Sequence, residues 1–273
     1  MSEPTGSLEY QSFGLKVKRL TGIDLAGYKS TQMERRLQTI MRKSGVEGYT
    51  SYAALLQRDP TALKDFVDFI TINVSEFFRN PEKFEELRQN VLPELLRQRG
   101  TLRVWSAGCS NGAEPYSLAI LLDEMTGPRN HFLLASDLDA QILRAAQAGF
   151  YLEKDLKNVS PRRRRKYFNP RPDGEEVQDW LRSRVTFRRH DLLKDPFESD
   201  LDLIVCRNVV IYFTEPVKET LYRRFVQALR PGGMLFVGGT ESILKARDHG
   251  LEPIYPFFYR KALQGPQGGA AKI

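Results

Sequence analysis

The most constraining stretch of this chain is residues 102–124. A β-like run at 102–107 gives way to Gly108-Cys109-Ser110-Asn111-Gly112 and then to a helical stretch at 114–124. Strand, glycine turn and helix in that order open a nucleotide-binding α/β unit. Gly108 and Gly112 let the backbone approach a ligand closely, and the following helix start offers free N–H groups to a carboxylate or phosphate. No Gly-x-Gly-x-x-Gly is present, which argues against a dinucleotide. The texture then alternates. Strands are expected at 132–136, 185–189, 201–206, 233–238 and 254–260, and helices at 140–148 and 216–229. Such alternation means a parallel sheet with helices on both faces.

Two segments break the pattern. Residues 150–184 are too long for an ordinary connection, so they fold as a small insertion; 177–185 could pair there as short strands, and 161–168 carry a basic run. Upstream, residues 15–95 read as helices at 28–44, 51–58, 61–70 and 81–99, with Pro81 in the first turn of the last. The 28–44 helix puts Met33, Leu37, Ile40 and Met41 on one side and Lys29, Arg35, Arg36, Arg42 and Lys43 around the rest. A basic face of this kind serves equally as solvated surface or docking surface. The stretch 264–273 is Gly/Ala-rich and reads as disordered.

Composition narrows the class. With 273 residues, 41 Lys+Arg against 34 Asp+Glu give a net charge of +7. That excess points to an acidic partner: nucleic acid, protein or lipid headgroups. The apolar run 118–122 falls far short of the about 20 residues a bilayer span needs. Two isolated cysteines, Cys109 and Cys206, make a disulfide framework or zinc knuckle an unlikely design, and the three scattered histidines argue against a histidine-rich metal site. The polar N-terminal residues lack the apolar core of a secretory signal, so a reducing cytoplasm is the expected location.

Ligands of open α/β sheets sit beyond the carboxyl ends of the strands. Asp137 ends the second strand, where it can accept both hydroxyls of a ribose or cap the next helix. Glu114 either complements a helix dipole or faces a cationic amino group. Arg207, Asn208 and Tyr212 follow the 201–206 strand and fall at the same crevice, whereas Cys206 suits packing better than nucleophilic attack. Residues 71–80 join helical part to sheet, with Asn73, Ser75 and Arg79 among Phe77 and Phe78. They are expected to form a lid over the ligand, the alternative being a helix start with buried aromatics.

Four blocks in order carry a resemblance: Asn73-x-Ser75-Glu76-Phe77-Phe78-Arg79, Trp105 through Ser117, Ser136-Asp137-Leu138-Asp139, and Cys206-Arg207-Asn208-Val209-x-Ile211-Tyr212-Phe213. Together they resemble the chemotaxis receptor methyltransferases of the CheR family, over about residues 10–262. The resemblance implies an α/β, Rossmann-like methyltransferase core with an N-terminal all-helical domain and a small inserted β-subdomain. The corresponding boundaries are 1–90 for the helical receptor-recognition domain with its linker, 91–273 for the methyltransferase domain and 150–184 for the insertion. It implies S-adenosyl-L-methionine as donor, S-adenosyl-L-homocysteine as product, no metal, and glutamate side chains of chemoreceptor cytoplasmic helices as acceptors, in a monomeric enzyme. Asn73, Ser75, Arg79, Gly108, Glu114, Asp137, Asp191, Leu192, Arg207 and Asn208 are then the expected cofactor residues. Ser75 stands where many members have threonine. Arg79 and Tyr212 are the expected catalytic residues, and Arg36 and Arg42 the expected contacts to acidic receptor helices. Members also use the insertion to bind a receptor C-terminal peptide, by strand addition. Two other readings stand beside this one: an RNA methyltransferase, and a cofactor-binding signalling adaptor without turnover.

Overall fold

The computed structural model describes residues 7–71 and 75–263, so Asn73 and the stretch 264–273 lie outside the described residues. The chain divides into two compact units, Met1–Asn73 with Val210–Glu219, and Val74–Val209 with Thr220–Ile273.

The first unit is helical. Helix α1 (Leu8–Thr21) starts where the Ser7 hydroxyl accepts the Tyr10 N–H and stops at Gly22, whose φ of 80° ends it in a left-handed cap. Helices α2 (Ser30–Lys43), α3 (Tyr49–Arg58) and α4 (Pro60–Thr71) follow. Phe13 sits at the centre, with the rings of Tyr49, Tyr52 and Phe66 between 5.3 and 6.1 Å away. Met33, Leu37, Ile40 and Met41 are all buried, as helical spacing requires of one face of α2. The segment Val210–Glu219 belongs here because Lys29 N–H donates to the Tyr212 carbonyl, Thr214 N–H donates to that of Gly27, and the Tyr28 and Phe213 rings meet at 5.1 Å.

The second unit starts earlier than the expected boundary at residue 90. Helix α5 (Pro81–Glu86) runs through a π turn at Leu87–Val91 into α6 (Leu92–Arg99), and Phe84, Leu87, Val91, Leu92 and Leu95 all enter the core of this unit. The π turn precedes Pro93, which has no N–H to continue the α-helical ladder.

Strand β1 (Arg103–Ala107), helix α7 (Ala113–Thr126), strand β2 (Phe132–Asp137) and helix α8 (Ala140–Ala148) follow in the expected order. The insertion then contributes β3 (Phe150–Tyr151), α9 (Pro161–Tyr167), β4 (Phe168–Arg171), β5 (Gly174–Val177) and α10 (Asp179–Arg182). Of the expected strands at 177–185 only Val177 is extended. Leu181 is drawn fully into the core while Arg182 binds the Ala148 carbonyl and Glu176, and these two demands wind 179–182 into a helical turn.

The chain returns to the main sheet with β6 (Thr186–Arg189), β7 (Leu201–Cys206), helix α11 (Glu215–Ala228), β8 (Leu229–Val237), β9 (Leu251–Tyr255) and β10 (Phe258–Lys261). The expected strand at 254–260 is in fact a hairpin, since Phe257, with φ of 74°, reverses the chain after Pro256. The seven strands lie in the order β6-β2-β1-β7-β8-β10-β9. Strands β6 to β8 pair in parallel, and β10 runs antiparallel to both neighbours. The insertion forms its own sheet, β3-β5-β4. Among the described residues, no helix is long and apolar enough to cross a membrane.

Three cations of the insertion's basic run are held in internal pairs, while Arg162 and Arg165 are exposed. Arg163 grips Glu124 through two nitrogens, Arg164 pairs with Glu153 and Glu175, and Lys166 pairs with Asp123 at 2.8 Å. Asp123 is 7% exposed and also accepts from the Tyr167 hydroxyl and from Arg184, both at 2.9 Å. Burial alone would push its carboxyl up. The bonds from Lys166, Tyr167 and Arg184 outweigh burial and hold it below the usual carboxylate range. A depressed carboxyl stabilises the fold above its unfolded pKa of about 3.9, and that contribution disappears as pH falls through the folded value. Asp123→Asn should therefore lower the unfolding free energy at pH 7 by about 1–3 kcal/mol and flatten part of the acid limb, as measured by urea unfolding between pH 3 and 7.

Candidate active site

The strand order reverses between β1 and β7, so the crevice of the second unit opens at their carboxyl ends. Three strand ends and one joining segment supply it.

From β1 comes the glycine turn. Gly108 has φ of 82°, and a side chain there would meet Val209 Cγ2 at 2.5 Å. Its N–H and that of Cys109 both donate to the Ser136 carbonyl, folding the turn over the end of β2. Ser110, at φ of 50°, donates its N–H to Asp137 Oδ2 at 2.8 Å, while its buried hydroxyl has no partner among the described residues. Glu114 lies partly buried beneath the turn. Burial pushes its carboxyl up, opposed by Arg207, 3.7 Å away, and by the Ser106 hydroxyl at 2.8 Å.

From β2 comes Asp137, whose two oxygens accept the N–H groups of Ser110 and Asp139. It does not cap helix α8. Asp139 does so, accepting from Gln141 and Ile142. Burial raises the Asp137 carboxyl against those backbone bonds. The His190 N–H donates to the Asp137 carbonyl, which brings residues 190–192 alongside. There Asp191 Oδ1 accepts from Leu193 N–H and Oδ2 pairs with Lys194, so its carboxylate is engaged within its own turn; Leu192 is buried.

From β7 come Arg207 and Asn208. Arg207 is 6% exposed, with its guanidinium 5.3 Å from the Phe84 ring and 4.7 Å from that of Phe236. Its Nη2 donates to the Arg79 carbonyl at 2.9 Å and to Asn80 Oδ1 at 2.8 Å.

The described part of the joining segment, residues 75–80, is a turn with buried aromatics, where a lid was expected at 71–80. Phe77 and Phe78 are 0% and 2% exposed. Phe77 packs edge-on against Tyr151 and Phe168 of the insertion, and Phe78 against Phe84, so the aromatics belong to the core. The Phe77 N–H donates to the Asp155 carbonyl and the Phe78 N–H to the Ser117 hydroxyl. Phe78 and Asn80 both take positive φ, which holds Arg79 between two strained residues. The Ser75 carbonyl accepts from Asn111 Nδ2 at 3.4 Å.

Thus Ser75, Arg79, Gly108, Glu114, Asp137, Asp191, Leu192, Arg207 and Asn208 all belong to the second unit. Tyr212, Arg36 and Arg42 belong to the first, so Tyr212 is separated from its sequence neighbours Arg207 and Asn208 in this division. Arg36 departs from the expected exposed face. It is half-buried, bonded to the Phe69 carbonyl and 4.7 Å above the Phe69 ring, and burial lowers its pKa. Arg42 is exposed and donates to the Gln38 carbonyl of its own helix. Glu241, missed in the sequence, is 3% exposed and accepts from the N–H groups of Asn208 and Gly238. The available signal was an acid three residues after a strand-ending glycine.

Residues 8–71 match the family described as "CheR methyltransferase, all-alpha domain", and residues 73–252 match "CheR methyltransferase, SAM binding domain". The chain belongs to the CheR methyltransferase family. It is 44% identical over 254 residues to the "Chemotaxis protein methyltransferase" of Listeria monocytogenes, covering 93% of this chain and 97% of that protein. It is 35% identical to "Chemotaxis protein methyltransferase 1" of Pseudomonas aeruginosa, covering 88% and 92%, and 35% identical to the Klebsiella aerogenes "Chemotaxis protein methyltransferase", covering 88% and 84%. The chain is thus an S-adenosylmethionine-dependent methyltransferase of chemotaxis.

The crevice fits that cofactor. Asp137 spends one oxygen on each backbone N–H, and a carboxylate has about four lone-pair positions, which leaves room for two ribose hydroxyls. The Ser110 hydroxyl and the partly buried Glu114 carboxylate would add an acceptor and an anion suited to a cationic methionine moiety. Gly108→Ala would force both the positive φ and the Val209 contact, so it should weaken S-adenosyl-L-homocysteine binding at least about tenfold by calorimetry and destabilise the fold by about 1–3 kcal/mol.

Proposed function

We propose that this enzyme transfers the methyl group of S-adenosylmethionine to glutamate side-chain carboxylates of chemoreceptor cytoplasmic helices, giving glutamyl methyl esters in the cytoplasm. The observation that carries the reading is Arg79: a cation presented on a turn fixed at both ends, beside a crevice whose described residues include no poised proton acceptor. Burial pushes the thiols of Cys109 and Cys206 up, and the carboxylates of Glu114 and Asp137 are already engaged, the first by Arg207 and the Ser106 hydroxyl, the second by the N–H groups of Ser110 and Asp139. Such a site suits an acceptor that needs no deprotonation. A glutamate carboxyl, with a reference pKa of about 4.3, is ionised near pH 7.

When bound, the cofactor supplies an electrophilic methyl group on a sulfonium. The chain supplies position. Arg79 pairs with the incoming carboxylate, strips its water and aims one oxygen, acting through orientation and charge compensation more than tight ground-state binding. An RNA hydroxyl would instead require a base. The exposed Arg42 end of α2 serves acidic receptor helices through a contact that salt weakens. A receptor C-terminal peptide would add to an edge of the β3-β5-β4 sheet.

Incubation with methyl-labelled S-adenosylmethionine and receptor-bearing membranes should give a base-labile labelled product, and total RNA should take up none. Arg79→Ala should reduce transfer at least about a hundredfold, the scale of losing a group that orients the reactant. Near-normal turnover in that variant would remove Arg79 from the reaction, and a base-resistant product would exclude glutamyl esterification.

A further inference from the structure

Glu241 takes no part in the site as the motifs describe it, yet it ties two strand ends together. After β8, residues 238–241 form a turn in which Glu241 N–H donates to the Gly238 carbonyl at 3.0 Å. The Glu241 side chain folds back, and its Oε2 accepts from Gly238 N–H at 2.7 Å and from Asn208 N–H at 2.6 Å. The first bond only closes the turn. The second crosses to the end of β7 and fixes Asn208 at φ of 60°, in the left-handed region that asparagine enters more readily than other non-glycine residues but at a cost that a bond to its N–H offsets. Space around the oxygen is fully used: a side chain at Gly238 would lie 2.5 Å from Oε2 and 2.9 Å from Asn208 N. Glu241 also contributes, with Glu114, to the negative surroundings of the buried Arg207 guanidinium.

We propose that Glu241 is a positioning residue for cofactor binding, its carboxylate setting the left-handed Asn208 backbone and so the direction of the Asn208 side chain at the crevice. This rests on the reading above that Asn208 meets the cofactor. The test measures S-adenosyl-L-homocysteine affinity by calorimetry, thermal midpoint, and KM and kcat, for Glu241→Ala, Glu241→Gln, Glu241→Asp and Asn208→Ala. Loss of two charge-assisted bonds should raise the dissociation constant of Glu241→Ala about tenfold or more, with the KM for S-adenosylmethionine rising in step and that for receptor unmoved. Glutamine keeps an accepting oxygen at the same reach and should lose less than alanine. Aspartate, one methylene short of both N–H groups, should bind more weakly than glutamine does.

A folded Glu241→Ala that binds like wild type, or equal losses in the Ala and Gln variants, overturns the proposal. If the alanine variant does not fold, wild-type affinity in Glu241→Asp overturns it, and the order Gln over Asp supports it. Asn208→Ala separates the two layers: unchanged affinity there removes Asn208 from the cofactor and the proposal with it. A weakened Asn208→Ala beside unaffected Glu241 variants overturns the positioning role alone.

Discussion

A guanidinium buried to 6% exposure governs how this site is built. Taking Arg207 out of water costs several kcal/mol, which only an excellent set of partners offsets. The Phe84 and Phe236 rings flank it, the Glu114 carboxylate lies 3.7 Å off, and the Arg79 carbonyl and the Asn80 side chain accept from Nη2. These partners come from three parts of the chain: the joining turn with α5, the start of α7, and β8. Satisfying one cation therefore draws the joining turn, the α7 start and the end of β7 to a common point. Lysine has the charge without the planar fork, and could not hold this constellation.

The same turn is gripped from its other side by the insertion. Asp155 offers its carbonyl to Phe77 N–H, Asn158 bonds the Glu76 carboxylate and the Phe77 carbonyl, and Lys157 pairs with Glu76 at 2.6 Å. The insertion is itself anchored on α7 through Asp123 and Glu124. Arg79 thus sits on backbone that is restrained before any reactant arrives. Preorganisation of this kind spares the reorganisation that would otherwise accompany charge movement in the transition state.

What could be read in the sequence follows a physical rule: features set by local chemistry were visible, and those set by distant partners were not. The glycine turn, β1, β2, α8 and β7 follow from apolar runs and punctuation, and α8 and β7 fall at the expected residues. The hairpin at Phe257 was missed because one positive φ reverses an otherwise continuous apolar run. Two adjacent phenylalanines suggested a lid, because nothing local reveals that Tyr151, Phe168 and Phe84 await them. Asp137 could be a cap or a ribose acceptor until Asp139, two residues on, was seen to do the capping. Glu241 was silent for the same reason: its partner Asn208 lies 33 positions away.

The charge balance shows the same distinction between sequence and space. A net +7 suggested basic surfaces on α2 and on the insertion. In the folded chain Arg163, Arg164, Lys166 and Arg184 are matched by internal carboxylates, and Arg36 is turned against Phe69. Arg35 and Arg42 remain exposed on α2. Charges at such a rim raise encounter rates and add salt dependence more than they deepen binding. An acidic partner met there would be gathered loosely and released readily.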